Sequence, residues 1–215
     1  MRVRKVKNVN EKLKQYGDIL IDNPNDYKGK WNEVFNNDNP IYLEIGMGKG
    51  KFINEHAKNN PNINYIGLEK VSSIVCKSLA IFGEDKKENL KYICNDAIFL
   101  KDMFNEKEIK KIYLNFSDPW PKTRHEKRRL TSPKFLEDML DILDGDIEFK
   151  TDNRLLFEYS LMEFNRLNLD ICELSLNLHE DKPDCITTEY EDKFVSKGNV
   201  IYYTKIINKY KKKQI

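Results

Sequence analysis

The sequence predicts an α/β protein whose central sheet is mostly parallel, with helices on both faces and an antiparallel hairpin at one edge near the C-terminus. Between residues 41 and 167, apolar segments of strand length alternate with segments of helix length, which is typical of βαβ units and a parallel sheet. After residue 168, two strand-like segments flank a charged stretch, and this arrangement predicts the hairpin.

The first half of the predicted sheet contains two apolar strands, each followed by a helix. Residues 41–45 (Ile-Tyr-Leu-Glu-Ile) lead into a glycine-rich turn, after which residues 51–58 have a helical pattern. Residues 64–68 form the second apolar strand. The apolar stretch 71–82 is predicted to be a helix that ends at Gly83, because glycine commonly terminates helices.

Three further apolar segments continue the alternation, and the hairpin strands follow them. The three strands are predicted at 92–94, 112–116 and 147–149. Ser132 and Pro133 suit the N-cap and first position of a helix over 134–143 that ends near Gly145, and apolar spacing predicts another helix over 153–167. The hairpin strands are predicted at 169–178 and 200–207, on either side of the charged segment 187–197.

Length and composition indicate one globular domain with an N-terminal extension. The chain has 215 residues, of which 40% are hydrophobic and 11% aromatic, enough for a core and too many for wholesale disorder. Residues 1–39 are polar with few apolar anchors, so we predict an extension that docks on a domain of residues 40–215.

Several protein classes are excluded by the same counts. No apolar run approaches the roughly 20 residues that span a bilayer, and the basic start leads into no apolar signal segment, so a cytoplasmic protein without membrane contact is expected. The four cysteines form no Cys-x-x-Cys pair and no histidine has a metal-ligand spacing, which predicts reduced thiols and no metal.

A glycine-rich turn follows the first predicted strand. Glu44 precedes Gly46, Gly48 and Gly50, and glycines at alternate positions allow a ligand to approach the backbone closely. The spacing differs from the Gly-x-Gly-x-x-Gly of dinucleotide-binding proteins, which counts against a nicotinamide dehydrogenase. No Gly-Lys-Ser/Thr follows, which excludes a P-loop.

Acidic residues end the next two strands. Glu69 is placed to accept hydrogen bonds from ribose hydroxyls, and Asp96 to accept one from an adenine amino group. Acidic residues at strand ends are also common helix N-caps. With Glu44, three acidic residues at successive strand ends beside a glycine turn predict a nucleoside pocket.

The segment after the fourth strand combines a carboxylate with a basic run. Asp118-Pro-Trp-Pro places Asp118 at the carboxyl edge of the sheet, where open α/β proteins bind ligands. The basic residues that follow are Lys122, Arg124, His125, Lys127, Arg128 and Arg129. Such a run beside a cleft predicts an anionic polymer as substrate. Basic clusters in 1–14 and 205–213 fit nucleic-acid contacts and solvated termini equally well.

Two later segments are less specific. Lys150-Thr-Asp152-Asn closes the fifth strand and is expected to present polar groups to the same cleft. Thr188-Glu189-Tyr190-Glu191 is, by its chemistry alone, an ordinary charged helix or loop.

Taken together, these motifs resemble a known family. Glu44-x-Gly46-x-Gly48-x-Gly50 with Glu69 and Asp96 resembles the S-adenosylmethionine pocket of Rossmann-like methyltransferases. Asn115-Phe-Ser-Asp118-Pro-Trp-Pro-Lys122-x-Arg-His-x-Lys-Arg-Arg-Leu130 resembles, more narrowly, the bacterial tRNA (guanine-N7-)-methyltransferases. So do Phe149-Lys-Thr-Asp152-Asn and Thr188-x-Tyr190-Glu191-x-x-Phe194. The resemblance runs from about residue 40 to residue 207.

The resemblance implies methylation of N7 of a guanine in tRNA, at nucleotide 46 in the variable loop, by a monomer or homodimer that uses S-adenosylmethionine and no metal. It implies cofactor contacts by Glu44, Gly46, Gly48, Glu69, Asp96 and Asp118, with Asp118 also catalytic. It implies substrate contacts by Lys122, Asp152, Thr188, Glu189, Tyr190 and Glu191. It implies RNA contacts by Arg124, His125, Lys127, Arg128 and Arg129. Because N7 has an in-plane lone pair, such a transfer needs positioning rather than a base or nucleophile.

Two alternatives remain at the level of the sequence. An adenine amino-methyltransferase would carry an Asp-Pro-Pro-aromatic loop, whereas here Trp120 separates the two prolines. A non-catalytic RNA-binding relative would have no need of acidic residues at 44, 69, 96 and 118. A measurement of cofactor binding distinguishes the enzyme from the non-catalytic relative.

Overall fold

The structure is a computed structural model that describes residues 6–208 of the chain. The described strands are β1 (Leu20–Ile21), β2 (Ile41–Ile45), β3 (Asn64–Leu68), β4 (Leu90–Ile93), β5 (Ile109–Asn115), β6 (Leu143–Thr151), β7 (Leu169–Ser175) and β8 (Tyr202–Asn208). The helices are α1 (Val9–Leu13), α2 (Trp31–Phe35), α3 (Lys51–Asn59), α4 (Ser72–Phe82), α5 (Leu100–Met103), α6 (Pro133–Ile142), α7 (Arg154–Arg166), α8 (Leu178–Asp181) and α9 (Glu189–Val195). The predicted basic clusters at the termini lie partly outside the described residues.

These strands form one sheet in the order β1-β4-β3-β2-β5-β6-β8-β7. Strands β1 to β6 pair in parallel, and β8 lies antiparallel between β6 and β7. The predicted α/β class with an antiparallel hairpin at one edge is therefore confirmed. The chain runs outward from β2 to β3 on one side and from β5 to β6 on the other. The carboxyl ends of β2 and β5 therefore flank the crevice where sheets of this type bind ligands.

The two faces of the sheet are both covered, as expected for parallel strands. All five residues of β3 are buried. Ile66 packs in one cluster with Leu43, Ile112 and Phe149, whereas its neighbour Tyr65 packs on the opposite face in a second cluster. Successive residues of a strand point to opposite faces, so one apolar run supplies both clusters.

The predicted role of Gly145 was wrong. Gly145 was expected to end a helix, but α6 ends at Ile142 and the chain continues directly into β6, with Gly145 inside that strand. A Cβ at Gly145 would lie 1.8 Å from the carbonyl oxygen of Lys110. The pairing of β5 with β6 shifts register between Ile109 and Lys111, so the glycine accommodates a close approach at this irregularity.

The residues before β2 pack onto the sheet. Leu20–Ile21 pairs in parallel with β4 and forms the edge of the sheet opposite β7. Trp31 is fully buried, its Nε1 donates a hydrogen bond of 3.0 Å to the carbonyl oxygen of Met103, and its ring stacks on Phe104. Within residues 6–208, the helices are too short or too polar to cross a membrane.

Candidate functional site

The turn after β2 is open to a ligand. Gly46 and Gly48 have φ values of 81° and 58°, a region that favours glycine, and a Cβ at either position would meet nothing within 4 Å. Gly46 N donates a hydrogen bond of 2.8 Å to the carbonyl oxygen of Leu68, which anchors the turn to β3. Gly50, in contrast, is fixed by packing, because its Cβ would lie 2.5 Å from Ser78 Oγ.

Glu44 lies near the end of β2, just before this turn, and is only 1% exposed. Its Oε1 accepts a hydrogen bond of 2.9 Å from Nδ2 of Asn115 at the end of β5, whereas its buried Oε2 has no partner among residues 6–208. Burial raises the pKa of Glu44 to about 8, and the carboxylate of Glu189 adds to this effect. Since buried acceptors are normally satisfied, the free oxygen suits a ligand that donates a hydrogen bond or carries positive charge.

Glu69 joins the turn to the end of β3. Its Oε2 accepts a hydrogen bond of 3.3 Å from Gly48 N, and its Oε1 accepts one of 2.9 Å from Val71 N. Burial raises the pKa of Glu69, against the effect of these two backbone donors. Each carboxylate oxygen has a further lone pair, so Glu69 can accept hydrogen bonds from a pair of hydroxyls as well.

Asp96 lies at the start of the short helical turn that follows β4. Its Oδ1 accepts a hydrogen bond of 3.2 Å from Ile98 N, so it is an N-cap as well as a predicted ligand contact. Asp96 and Val71 line an open cleft of about 790 Å³. Val6 and Val9, which precede the first strand, form another part of its wall. Sequence analysis missed this contribution, since the extension carries no recognisable motif.

Asp118 lies on the loop after β5 and is exposed, and its carboxylate makes no hydrogen bond to any residue in the described range. The residues two before and two after it, Phe116 and Trp120, have φ values of 51° and 39°. Such left-handed conformations cost a non-glycine residue about 1–3 kcal/mol and are concentrated at functional sites. Contacts with neighbouring residues, and not the intrinsic backbone preferences of Phe116 and Trp120, therefore maintain the conformation of the loop.

Arg129 contacts this loop from the far end of the basic run. Its Nε donates to the carbonyl oxygen of Pro119 at 3.0 Å and its Nη2 to that of Trp120 at 3.2 Å. The guanidinium lies 4.2 Å from the centre of the Tyr159 ring. Arg128 is exposed and lies over the Trp120 ring at 5.0 Å.

The other predicted RNA contacts form an exposed face beside the loop. Lys122, Arg124 and Lys127 are exposed and make no ion pair with the described residues, and His125 packs edge-on against Trp120. These residues occupy a short 3-10 helix, Thr123–Arg128, and the residue before it. The arrangement leaves the charges of Lys122, Arg124 and Lys127 free for an external anion.

The residues at the start of α9 differ in the contacts that their side chains make. Thr188 and Glu191 form a capping box, in which each side chain accepts a hydrogen bond from the backbone N–H of the other. Glu191 is fully buried, and its Oε1 lies 3.0 Å from His179 Nε2 and 3.5 Å from Lys150 Nζ. Cys185 Sγ is 4.0 Å from the same ammonium group, so the thiol and the carboxylate of Glu191 both face Lys150.

Tyr190 faces the Asp118 loop instead. Its hydroxyl donates a hydrogen bond of 3.3 Å to Asp152 Oδ2, and its ring lies 5.0 Å from that of Phe116. Burial is the main cause that raises the pKa of Tyr190, and the carboxylate of Asp152 adds to it. Asp152 and Tyr190 are therefore brought together at the edge of the site.

A further link that sequence analysis missed connects α3 to α9. Lys51 follows the glycine turn, and its Nζ donates hydrogen bonds of 2.6 Å to Asp192 Oδ2 and 2.8 Å to Thr187 Oγ1. The sequence does not reveal this pair, because Lys51 and Asp192 are 141 positions apart and come together only when the chain folds.

Comparison with known proteins agrees with this geometry. A family model described as a putative methyltransferase matches residues 38–204. A tRNA (guanine-N(7)-)-methyltransferase from Geobacillus sp. (strain WCH70) is 51% identical over 205 residues, which cover 94% of this chain and 93% of the relative. One from Bacillus subtilis (strain 168) is 48% identical over 209 residues, which cover 96% of this chain and 98% of the relative.

Solved structures are similar in fold at much lower identity. An antibiotic-related methyltransferase has a TM-score of 0.60 at 18% identity, over 83% of this chain and 92% of its own. The 16S rRNA methyltransferase KamB has a TM-score of 0.60 at 14% identity, over 82% of this chain and 91% of its own. The fold is thus the Rossmann-like methyltransferase fold. On the extent and identity of the sequence matches, the chain belongs to the family of tRNA (guanine-N7-)-methyltransferases.

Proposed function

We propose that this protein transfers the methyl group of S-adenosylmethionine to N7 of a guanine in tRNA, and that the guanine is nucleotide 46 of the variable loop. Membership of the family supports the reaction. One observation carries the placement of the site: Glu44, with its unpartnered Oε2, lies at the carboxyl end of β2, and the exposed, unpartnered Asp118 follows β5, so both are at the crevice of the sheet.

The residues present suit the proposed cofactor. Glu69 would accept hydrogen bonds from the ribose hydroxyls, and Asp96 would accept one from the adenine amino group. Glu44 offers a buried free acceptor just before the turn, and the space at Gly46 and Gly48 leaves room for the ligand. When bound, the cofactor would supply an electrophilic methyl group on a sulfonium, whose sulfur keeps the electron pair of the broken bond and leaves as the neutral thioether S-adenosylhomocysteine.

Asp118 is proposed to orient the base and to balance charge. N7 of guanine keeps an in-plane lone pair, so no residue has to remove a proton before the transfer. An exposed carboxylate can accept a hydrogen bond from an N–H group of the base and hold N7 in line with the methyl group. The base gains a positive charge on methylation, and the negative charge of Asp118 stabilises it.

The tRNA is proposed to bind along the exposed basic face. Lys122, Arg124, Lys127 and Arg128 are proposed to contact phosphates, because they are exposed and form no ion pair with the described residues, and His125 is proposed to contact the RNA beside them. Asp152, Glu189 and Tyr190 are proposed to border the substrate. Thr188 and Glu191 are proposed to act by holding α9 in place, since their side chains cap the helix.

The decisive experiment incubates unmodified tRNA with labelled S-adenosylmethionine and identifies the methylated nucleoside. We expect N7-methylguanosine, and no product from a tRNA whose guanine 46 is replaced. Asp118→Ala is expected to abolish turnover without lowering the melting temperature, whereas Asp102→Ala, an exposed carboxylate on α5, serves as the control. A methylated adenine, or tRNA binding without any methylation, would replace the proposal by one of the two alternatives.

We further propose that the protein acts in the cytoplasm, where its tRNA substrate is found, as a monomer or a homodimer. Mass determination in solution with and without tRNA distinguishes the two states.

A further inference from the structure

We propose that Arg129 is a positioning residue for the Asp118 loop and not a phosphate contact, an inference that rests on the role proposed above for Asp118. The basic run after the loop contains five lysines and arginines. Four of them are exposed, but Arg129 is half-buried and turns toward the protein. Its neighbour Arg128 has the same chemistry and an exposed position, so the two residues form a natural comparison.

The guanidinium of Arg129 binds two successive carbonyl groups of the loop. Nε donates to Pro119 O at 3.0 Å and Nη2 to Trp120 O at 3.2 Å, and Pro119 directly follows Asp118. The face of the same group packs 4.2 Å from the centre of the Tyr159 ring on α7. A planar guanidinium makes such a two-point contact, whereas a lysine ammonium group acts as a point charge. Arg129 therefore ties the loop to a rigid helix.

Apart from the ring contacts of Trp120 with Arg128 and His125, the loop has few other contacts to hold it. Two of its residues are prolines, which have no backbone N–H, and Trp120 has a φ of 39°. In the described part of the chain, the hydrogen bonds of residues 118–121 come from Arg129. Without these bonds the loop is expected to relax, and Asp118 moves with it. A displacement of about 1 Å at a catalytic group can lower the rate about 100-fold.

The test compares Arg129→Lys and Arg129→Gln with Arg128→Gln by steady-state kinetics, by tRNA binding at several salt concentrations and by thermal unfolding. For Arg129→Lys, which keeps the charge, we expect kcat to fall about 10- to 100-fold. For Arg129→Gln, which removes the charge, we expect the salt dependence of tRNA binding to stay as in the wild type. For Arg128→Gln, we expect a higher KM for tRNA and a salt slope reduced by about 0.7–0.9, the value for one phosphate contact.

The opposite pattern would overturn the proposal: a normal kcat in Arg129→Lys refutes the positioning role, and a reduced salt slope in Arg129→Gln identifies a phosphate contact. Tyr159→Leu keeps Arg129 but removes the ring beneath it, so a smaller fall in kcat is expected even if the Arg129 variants fail to fold. An unchanged kcat in Tyr159→Leu contradicts the proposal. Asp118→Ala, assayed in parallel, separates the two inferences. Turnover by Asp118→Ala refutes the role of Asp118, whereas its loss together with normal turnover by Arg129→Lys refutes only that of Arg129.

Discussion

Replacement of Glu44 by glutamine is predicted to stabilise the free protein while it weakens cofactor binding. The carboxyl group is buried, one oxygen has no partner in the described structure, and its pKa is raised from 4.5 to about 8. Between these two values the folded chain binds a proton that the unfolded chain has lost. The free energy of unfolding therefore decreases as the pH rises from 4.5 to 8.

The size of the effect follows from the shift. A change of one pKa unit corresponds to about 1.4 kcal/mol, so the full shift destabilises the folded state by roughly 5 kcal/mol above pH 8 and by about 3 kcal/mol at pH 7. Glu44→Gln removes this cost and keeps an oxygen that can accept the hydrogen bond from Asn115. The variant is expected to match the wild type near pH 4.5 and to exceed its stability at pH 8.

Urea denaturation at pH values between 5 and 9 measures the difference directly. Parallel stability curves for the wild type and Glu44→Gln would refute the reasoning. Cofactor binding provides a second measurement, because a positively charged ligand favours the ionised form of Glu44. Calorimetry at pH 7 in two buffers of different ionisation enthalpy should detect proton release by the wild type and none by the variant. The variant should also bind S-adenosylmethionine about 10- to 100-fold more weakly.

Three further predictions concern other parts of the structure. Glu69→Ala should weaken S-adenosylmethionine binding about 10- to 100-fold in calorimetry, since bonds to both ribose hydroxyls are lost, and unchanged affinity would refute the ribose contact. The double variant Arg124→Gln and Lys127→Gln should raise KM for tRNA and reduce the salt slope of tRNA binding by about 1.5, and an unaltered slope would place the RNA elsewhere. Gly145→Ala should lower the free energy of unfolding by about 1–3 kcal/mol, because its Cβ would collide with the carbonyl oxygen of Lys110. If Gly145→Ala has the same free energy of unfolding as the wild type in urea denaturation, β5 and β6 can move apart at this point without loss of stability.

Much of the fold could be predicted because local patterns determine it. Apolar strand-length segments followed by helical ones specify βαβ units, and parallel strands end at the same edge of a sheet. Glu44, Glu69 and Asp118 could therefore be assigned to one edge without knowledge of any contact. The role of Gly145 could not be predicted in this way, because a glycine that follows a helical pattern commonly ends the helix. In the structure, glycine is required there because a Cβ would collide with the carbonyl oxygen of Lys110 on the neighbouring strand.

Individual side-chain roles depended on contacts that the sequence does not reveal. Arg128 and Arg129 are adjacent and chemically identical, yet one covers the outer face of Trp120 and the other binds carbonyl groups of the loop. Glu191 is one of several acidic residues in a charged segment, and its burial against Lys150 depends on how α9 meets β6. Pattern and composition indicate where polar residues gather, but not which of them turn inward.

The pairing of β1 with β4 has a consequence for the order in which the protein is made. The ribosome delivers residues 6–39 before β4 and α5, but Trp31 donates its hydrogen bond to a residue 72 positions later, and β1 can pair only after β4 has been made. During translation we expect these apolar side chains to remain without their final neighbours until α5 has emerged. This earlier segment would then dock late, and with it Val6 and Val9 would complete the cleft beside Asp96. Pulse-labelling of stalled nascent chains of increasing length would show protection of Trp31 only after Phe104 has left the ribosome.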